Sequence, residues 1–210
     1  MTDATKRALL VIDVQREYVD GALLIAHPPL QESLPNIVAA VEAAHAASVP
    51  VVLVRHVDAA DSPVFAAGSR GAELHDTVAT AAHDLLLVKE GVSCFAGTHL
   101  AAWLEAHGVD TVTIAGFMTQ HCDESTARDA ADLGLAVELL ADATGTLPLT
   151  TPSGPISARD LHERTLLVLA SGFASVTGTE TWIAAATAGS PLPAPDLWAS
   201  TEPARAVQGR

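Results

Sequence analysis

The chain is poor in aromatic residues, in cysteine and in positive charge. Aromatics make up 4% of its 210 residues, and there is a single tyrosine. The hydrophobic fraction of 49% therefore has to be built mainly from Ala, Val, Leu and Ile, which suits helices packed closely on a sheet. Only two cysteines occur, Cys94 and Cys122, so no disulfide framework holds the fold. Lys and Arg number 11 against 25 Asp and Glu, a net charge of −14, and no more than two basic residues are adjacent. Nucleic-acid binding needs a basic face, so it is not expected. Attraction to an anionic membrane surface is disfavoured for the same reason. The acidity is read as an aid to solubility. No apolar run approaches the ~18 residues that a membrane helix needs. Residues Met1 to Arg7 lack the apolar region of a signal peptide, and with unpaired cysteines this points to a reducing, cytoplasmic setting.

What is present is an alternation of short apolar runs and segments with apolar residues at three- and four-residue spacing. The runs read as strands at Arg7–Asp13, Val51–His56, Asp84–Val88, Thr111–Ala115, Ala136–Leu140 and Ala174–Val176. The spaced segments read as helices at Leu34–Ala47, Thr98–Ala106, Ser125–Leu133 and Ala158–Ala170, the last with Ser157 as N-cap and Asp160 near its positive end. This mixture predicts an α/β fold with a parallel sheet in one domain. That domain is expected over 1–188, with an irregular, Pro- and Ala-rich tail over 189–210. The Thr-, Pro- and Gly-rich stretch Gly145 to Pro155 reads as a loop that can border a site.

Three residues stand at the carboxyl ends of predicted strands, where α/β sheets carry their ligands. Cys122 follows the Thr111–Ala115 run within Gly116-Phe117-Met118-Thr119-Gln120-His121-Cys122-Asp123-Glu124-Ser125-Thr126, just ahead of a helix. Helix N-termini favour negative charge, so a lowered thiol pKa and a nucleophilic thiolate are expected there. Asp13 ends the Ala8 to Ile12 run and Lys89 ends the Leu85 to Val88 run. Taken singly, Cys122 reads as a buried structural thiol, Asp13 as a helix cap and Lys89 as a solvated cation. Taken together they supply a nucleophile, a base and a cation, the set that thiol catalysis requires.

The chain here resembles the isochorismatase-like cysteine hydrolases, which include nicotinamidases, N-carbamoylsarcosine amidases and ureido-group hydrolases. Asp13-Val14-Gln15 with Tyr18, Lys89 with Ser93-Cys94-Phe95, the Gly116 to Thr126 motif, Arg128-Asp129-Ala130 with Gly134, and Asp142-Ala143 carry the resemblance. They occur in the family's order across roughly residues 6 to 184. The resemblance implies a three-layer α/β/α domain on a six-stranded, mainly parallel sheet. It implies a catalytic triad of Asp13, Lys89 and Cys122. It implies a cis bond between Phe117 and Met118 that sets the backbone N–H groups of Met118 and Cys122 side by side as an oxyanion hole. It also implies a homo-oligomer, a dimer or tetramer.

Several details refine that reading. Nicotinamidases similar to this chain carry Asp-x-His and further histidines after the second strand. Here the order is reversed, His56-Val57-Asp58 with His75 later, so no metal and no cofactor are expected. Of the nine histidines, most are read as surface residues, His45, His83, His99 and His107 among them. True isochorismatases carry Gly in place of the nucleophile, so Cys122 argues for carbon–nitrogen hydrolysis rather than vinyl-ether cleavage. Cys94 is expected to be an apolar filler. Asp123, an unusual residue after the cysteine, is expected to face outward from the first turn of the helix. Tyr18, Phe65, Phe95, Phe117 and Met118 are candidates to wall an apolar pocket, with Gln15 and Thr119 orienting polar atoms; core packing is an equal reading for Phe65 and Phe95. The expected activity is metal-independent hydrolysis of a small amide, carbamoyl or ureido compound through a Cys122 thioester. Nicotinamidase-like or lactam-opening activity, and a catalytically silent binding protein of the same fold, are the alternatives.

Overall fold

Alternate residues of the central strands face two separate apolar cores, and this sorting builds the three layers. A computed structural model describes residues 5–207. Expectations for residues 1–4 and 208–210 fall outside it. The elements are β1 (Arg7–Ile12), α1 (Arg16–Val19), α2 (Leu30–Ala46), β2 (Val51–His56), α3 (Asp76–Ala79), β3 (Leu85–Lys89), α4 (Leu100–Ala106) and β4 (Thr111–Phe117). After a π-turn at Thr119–Asp123 come α5 (Glu124–Asp132), β5 (Ala136–Gly145), β6 (Leu149–Thr151), β7 (Gly154–Ile156), α6 (Ala158–Ala170), β8 (Ser175–Thr177), α7 (Thr179–Ala188) and α8 (Leu197–Val207). In β1, Leu9 and Val11 join one core with Ile37, Ala40 and Ala44 of α2 and Trp182 of α7. Ala8, Leu10 and Ile12 join the other with Leu100 and Leu104 of α4, Ala127 and Ala130 of α5 and Leu169 of α6. Strands buried on both faces read as unbroken apolar runs, which is why β1 and β4 stood out in the sequence.

The main sheet is six-stranded in the order β3-β2-β1-β4-β5-β8, and every neighbouring pair is parallel. The order reverses direction between β1 and β4, so the crevice beyond their carboxyl ends is the topological switch point where such sheets bind ligands. β4 and β5 fall out of register there: Ile114 pairs with Leu139, but Gly116 pairs with Thr144. The extra β5 residues bulge away from the ladder just below the switch point.

At the opposite, amino-terminal end of the sheet a buried ion pair links Arg7 to Glu138 at 2.7 Å. Trp182 Nε1 donates to Glu138 Oε2 and to Thr113 Oγ1, both at 2.9 Å. This network fixes α7 on the sheet. The sequence reading missed α7 because Thr179–Ala188 is mostly Ala and Thr, which gives a weak periodic signal. The stretch Gly145 to Pro155, expected to be a loop, holds the antiparallel hairpin β6–β7, with Gly154 at a φ of 121° beside the turn. The tail, expected to be irregular throughout, is helical over Leu197–Val207; none of that helix is buried.

Candidate active site

Asp13 directly follows β1 and takes a left-handed φ of 53°. That region is uncommon for side chains other than Gly, although Asp tolerates it better than most. The turn is fixed by Asp13 N–H donating to Val54 O at 3.0 Å and Gln15 N–H donating to Asp13 O at 2.7 Å. Beside it, Gly116 of β4 stands opposite Ile12 with a φ of 125°. A Cβ on Gly116 would lie 1.9 Å from Ile12 O, so only glycine lets the two strand ends meet. Lys89 closes β3 opposite His56. The Phe117–Met118 bond is cis. The chain then enters the π-turn that carries Cys122.

These placements bring the three candidate residues together. Lys89 Nζ lies 2.9 Å from Asp13 Oδ2 and 3.2 Å from Cys122 Sγ, and it donates to Gly91 O at 3.2 Å. Asp13 is fully buried, while Cys122 keeps 7% exposure. Burial pushes the Asp13 carboxyl up from its ordinary value against the pull of Lys89. Burial alone would lower the Lys89 pKa, but the charges of Asp13 and Cys122 outweigh it and hold the ammonium protonated. Burial, then the charge of Asp13, pushes the Cys122 thiol up. The expected lowering of this thiol is therefore corrected. Cys122 does not open α5 but lies inside a buried wide turn, where burial favours the neutral thiol over the thiolate.

Asp123 also departs from expectation. It faces inward, fully buried, and neither carboxyl oxygen has a hydrogen-bond partner. The wide turn carries it inside rather than onto the exposed face of α5. Burial, then the charge of Asp13, raises its pKa well above the usual carboxylate range. A neutral carboxylic acid is the form such a site tolerates. Cys94 is buried and unpaired, in the apolar core beneath Cys122.

The candidate substrate residues divide. Tyr18 packs against Phe65 and Phe117 with ring centroids 5.0 and 5.9 Å away, and Met118 joins the same core. Phe95 is half-buried against the opposite core, away from that cluster. Gln15 is a structural clamp rather than a free polar group. Its Nε2 donates to His56 O at 2.8 Å and to Ala72 O at 2.9 Å, and its Oε1 accepts from His56 N–H at 2.9 Å. Thr119 is buried, with Oγ1 2.8 Å from His162 Nδ1. His162 was not singled out from the sequence, although the stripe Ala158, His162, Thr165 and Leu169 on α6 places it on the inner face. His45, His83, His99 and His107 are exposed.

His56 Nε2 lies 3.4 Å from Asp58 Oδ1. His75 does not join them; its Nδ1 accepts from Thr77 N–H and Oγ1, capping α3. Among the described residues no three His, Cys, Asp or Glu side chains are grouped to hold a metal ion. Two surface grooves of about 480 and 450 Å³ run along the β8 edge beneath Leu192 to Pro195, remote from the switch point and its chemistry.

Comparison with known proteins agrees with this architecture. Residues 7–181 match the isochorismatase domain. The crystal structure of an isochorismatase-like protein from Burkholderia xenovorans LB400 superposes with a TM-score of 0.94 at 48% identity, covering 99% of this chain and 100% of that one. A secreted isochorismatase effector, Isc1, from Verticillium dahliae is 34% identical over 65% of this chain and 71% of its own length. The nicotinamidase/pyrazinamidase of Mycobacterium tuberculosis is 32% identical over 66% of this chain and 86% of its own. The chain belongs to the isochorismatase family and is a hydrolase.

Proposed function

We propose that the chain is a cysteine-dependent hydrolase that cleaves a carbon–nitrogen bond in a small amide, carbamoyl or ureido compound. The observation that carries this reading is the single ammonium, Lys89 Nζ, within 3.2 Å of both Asp13 Oδ2 and Cys122 Sγ. Asp13 takes the thiol proton as Cys122 sulfur bonds to the substrate carbonyl carbon. The carbonyl oxygen becomes an oxyanion facing the backbone N–H groups of Met118 and Cys122. Collapse breaks the C–N bond, and Asp13 returns the proton to the departing amine. Water, deprotonated by Asp13, then attacks the thioester, releasing the acid and restoring the thiol. Lys89 stays an ammonium throughout and offsets the negative charge as it moves between Asp13 and Cys122. Loss of one oxyanion donor typically lowers turnover about 10²–10³-fold.

Tyr18, Phe65 and Phe117 form a buried aromatic cluster in the core under β1 and β4. The Mycobacterium relative favours a nicotinamidase-like reaction as the second reading. The test is ammonia release by wild type and Cys122→Ala across small amides, ureas and lactams, nicotinamide included, with and without chelator. Release abolished by Cys122→Ala and indifferent to chelator is the expected result. Chelator-sensitive release identifies the metal-assisted nicotinamidase reading. Activity that survives in Cys122→Ala contradicts a thioester and points to vinyl-ether chemistry. Silence across the panel together with an unreactive Cys122 identifies a binding protein.

A homo-oligomer, dimer or tetramer, and a cytoplasmic location complete the proposal. Sedimentation showing only monomer contradicts the first. Among the described residues no helix is long and apolar enough to cross a membrane. Recovery of the protein outside the cell, as the name of the Verticillium relative indicates for that protein, contradicts the second.

A further inference from the structure

We propose that His162 is a positioning residue: it locks the Thr119 hydroxyl and thereby holds the Met118–Cys122 turn in the shape that acyl transfer to Cys122 requires. The inference rests on the thioester reading above. His162 is 3% exposed and makes two polar contacts. Its Nε2 lies 3.0 Å from Ala141 O, and its Nδ1 lies 2.8 Å from Thr119 Oγ1. A carbonyl oxygen only accepts, so Nε2 carries the proton and Nδ1 presents a lone pair. Thr119 must then donate its hydroxyl hydrogen to Nδ1. Only one arrangement of hydrogens satisfies all three groups.

The surroundings keep the ring neutral and in place. Burial, then the neighbouring His27, lowers the His162 pKa to about 4. The His27 ring meets it edge-on, with centroids 5.4 Å apart. Ala141 belongs to the bulged part of β5, where register with β4 is lost between Leu139 and Thr144. One imidazole thus ties three elements: α6, which carries it, the β5 bulge, and the π-turn whose first residue is Thr119. Thr119 directly follows Met118 and stands three residues before Cys122, between the two backbone groups assigned to the oxyanion. A displacement of ~1 Å at such groups is enough to cost about 10²-fold in rate. Among the described residues no other side chain bridges Ala141 and Thr119.

The test uses two reagents that demand different things of the same sulfur. p-Nitrophenyl acetate acylates a thiol through a tetrahedral oxyanion: the S–C bond forms, p-nitrophenolate leaves, and the thiol proton passes to the base. Iodoacetamide alkylates by displacement of iodide at a saturated carbon and forms no oxyanion. In His162→Gln the amide nitrogen can replace Nε2 toward Ala141 but leaves Thr119 without an acceptor. In His162→Asn the amide oxygen can replace Nδ1 toward Thr119 but does not reach Ala141. Thr119→Val removes the hydroxyl at nearly constant shape.

The expected result is that His162→Gln and Thr119→Val each slow acylation of Cys122 about 10- to 100-fold, with iodoacetamide alkylation within about twofold of wild type. His162→Asn should keep most of the acylation rate. The double variant His162→Gln/Thr119→Val should be no slower than either single, because both changes break one link. Equal losses in acylation and alkylation, additive losses in the double variant, or wild-type acylation in both single variants would each overturn the positioning role. If His162→Gln does not fold, as judged by its thermal melt, Thr119→Val and His162→Asn still decide the matter. A wild-type protein acylated and alkylated at Cys122 by neither reagent would overturn the thioester reading itself, and this inference with it.

Discussion

Four ionisable residues crowd together at the switch point, where the Lys89 ammonium faces both Asp13 and Cys122. Lys89 is held as an ammonium by Asp13 and Cys122, whereas the pKa values of Asp13, Cys122 and Asp123 are all raised by burial first. Asp123 is the least comfortable, since neither carboxyl oxygen has a partner. Its raised pKa means that the folded chain keeps a proton which the unfolded chain loses above about pH 4. This stabilisation is therefore complete at low pH and fades as pH rises toward the folded value. Asn does not titrate, so Asp123→Asn should melt higher than wild type, by a margin that widens between about pH 5 and pH 8. Parallel melting curves across that range would show that Asp123 has a partner in solution. The identities of Asp13, Lys89 and Cys122 could be read from the sequence because each follows an apolar strand run. The inward turn of Asp123 and the engagement of Gln15 by His56 and Ala72 could not, because both depend on the path of loops that no periodicity encodes. The direction of the Cys122 shift was misread for a related reason. A helix N-terminus lowers a thiol pKa only where burial does not dominate, and burial is a property of the packed fold.

At the scale of elements, two features fix the central sheet, one at each end. Gly116 allows β4 to run against β1 where a side chain would meet Ile12 O. Gly116→Ala is expected to cost roughly 3 kcal/mol or more, measured by urea unfolding, since the close atom is backbone and φ is positive. Wild-type stability in that variant would contradict the close approach. At the other end of the sheet, Glu138 neutralises Arg7 in an interior where both are almost fully buried. Glu138→Ala leaves the buried guanidinium without its counter-ion, with only Ser190 O still accepting from it, and leaves the Trp182 N–H to Thr113 Oγ1 alone, an expected loss of about 3–5 kcal/mol. A loss under about 1 kcal/mol would mean that water reaches Arg7. Five strands of the main sheet were legible to within two residues because buried parallel strands are unbroken apolar runs, whereas β5 runs on to Gly145, five residues past the expected Leu140, through the stretch where its register with β4 shifts. α6 matched its predicted bounds of Ala158–Ala170, as expected for a strongly amphipathic helix with a Ser157 cap. α7, α8 and the β6–β7 hairpin were not legible: the first is Ala-rich, the second buries nothing, and the third depends on Gly154 at positive φ.

For the whole molecule, the strand order decides where chemistry can occur. A sheet ordered β3-β2-β1-β4-β5-β8 has one reversal, and Asp13 and Cys122 follow the two strands that flank it. The grooves along the β8 edge hold no such constellation. The order itself was not readable from the sequence, since it arises from which helices cross which face. The measurement that tests the central claim most directly is intact-protein mass spectrometry on samples quenched during turnover of the best amide found by the ammonia assay. The account predicts a transient mass increase equal to the substrate minus its amine, located on the peptide that contains Cys122. Steady turnover with no adduct at that cysteine, or an adduct that persists in Cys122→Ala, would contradict it.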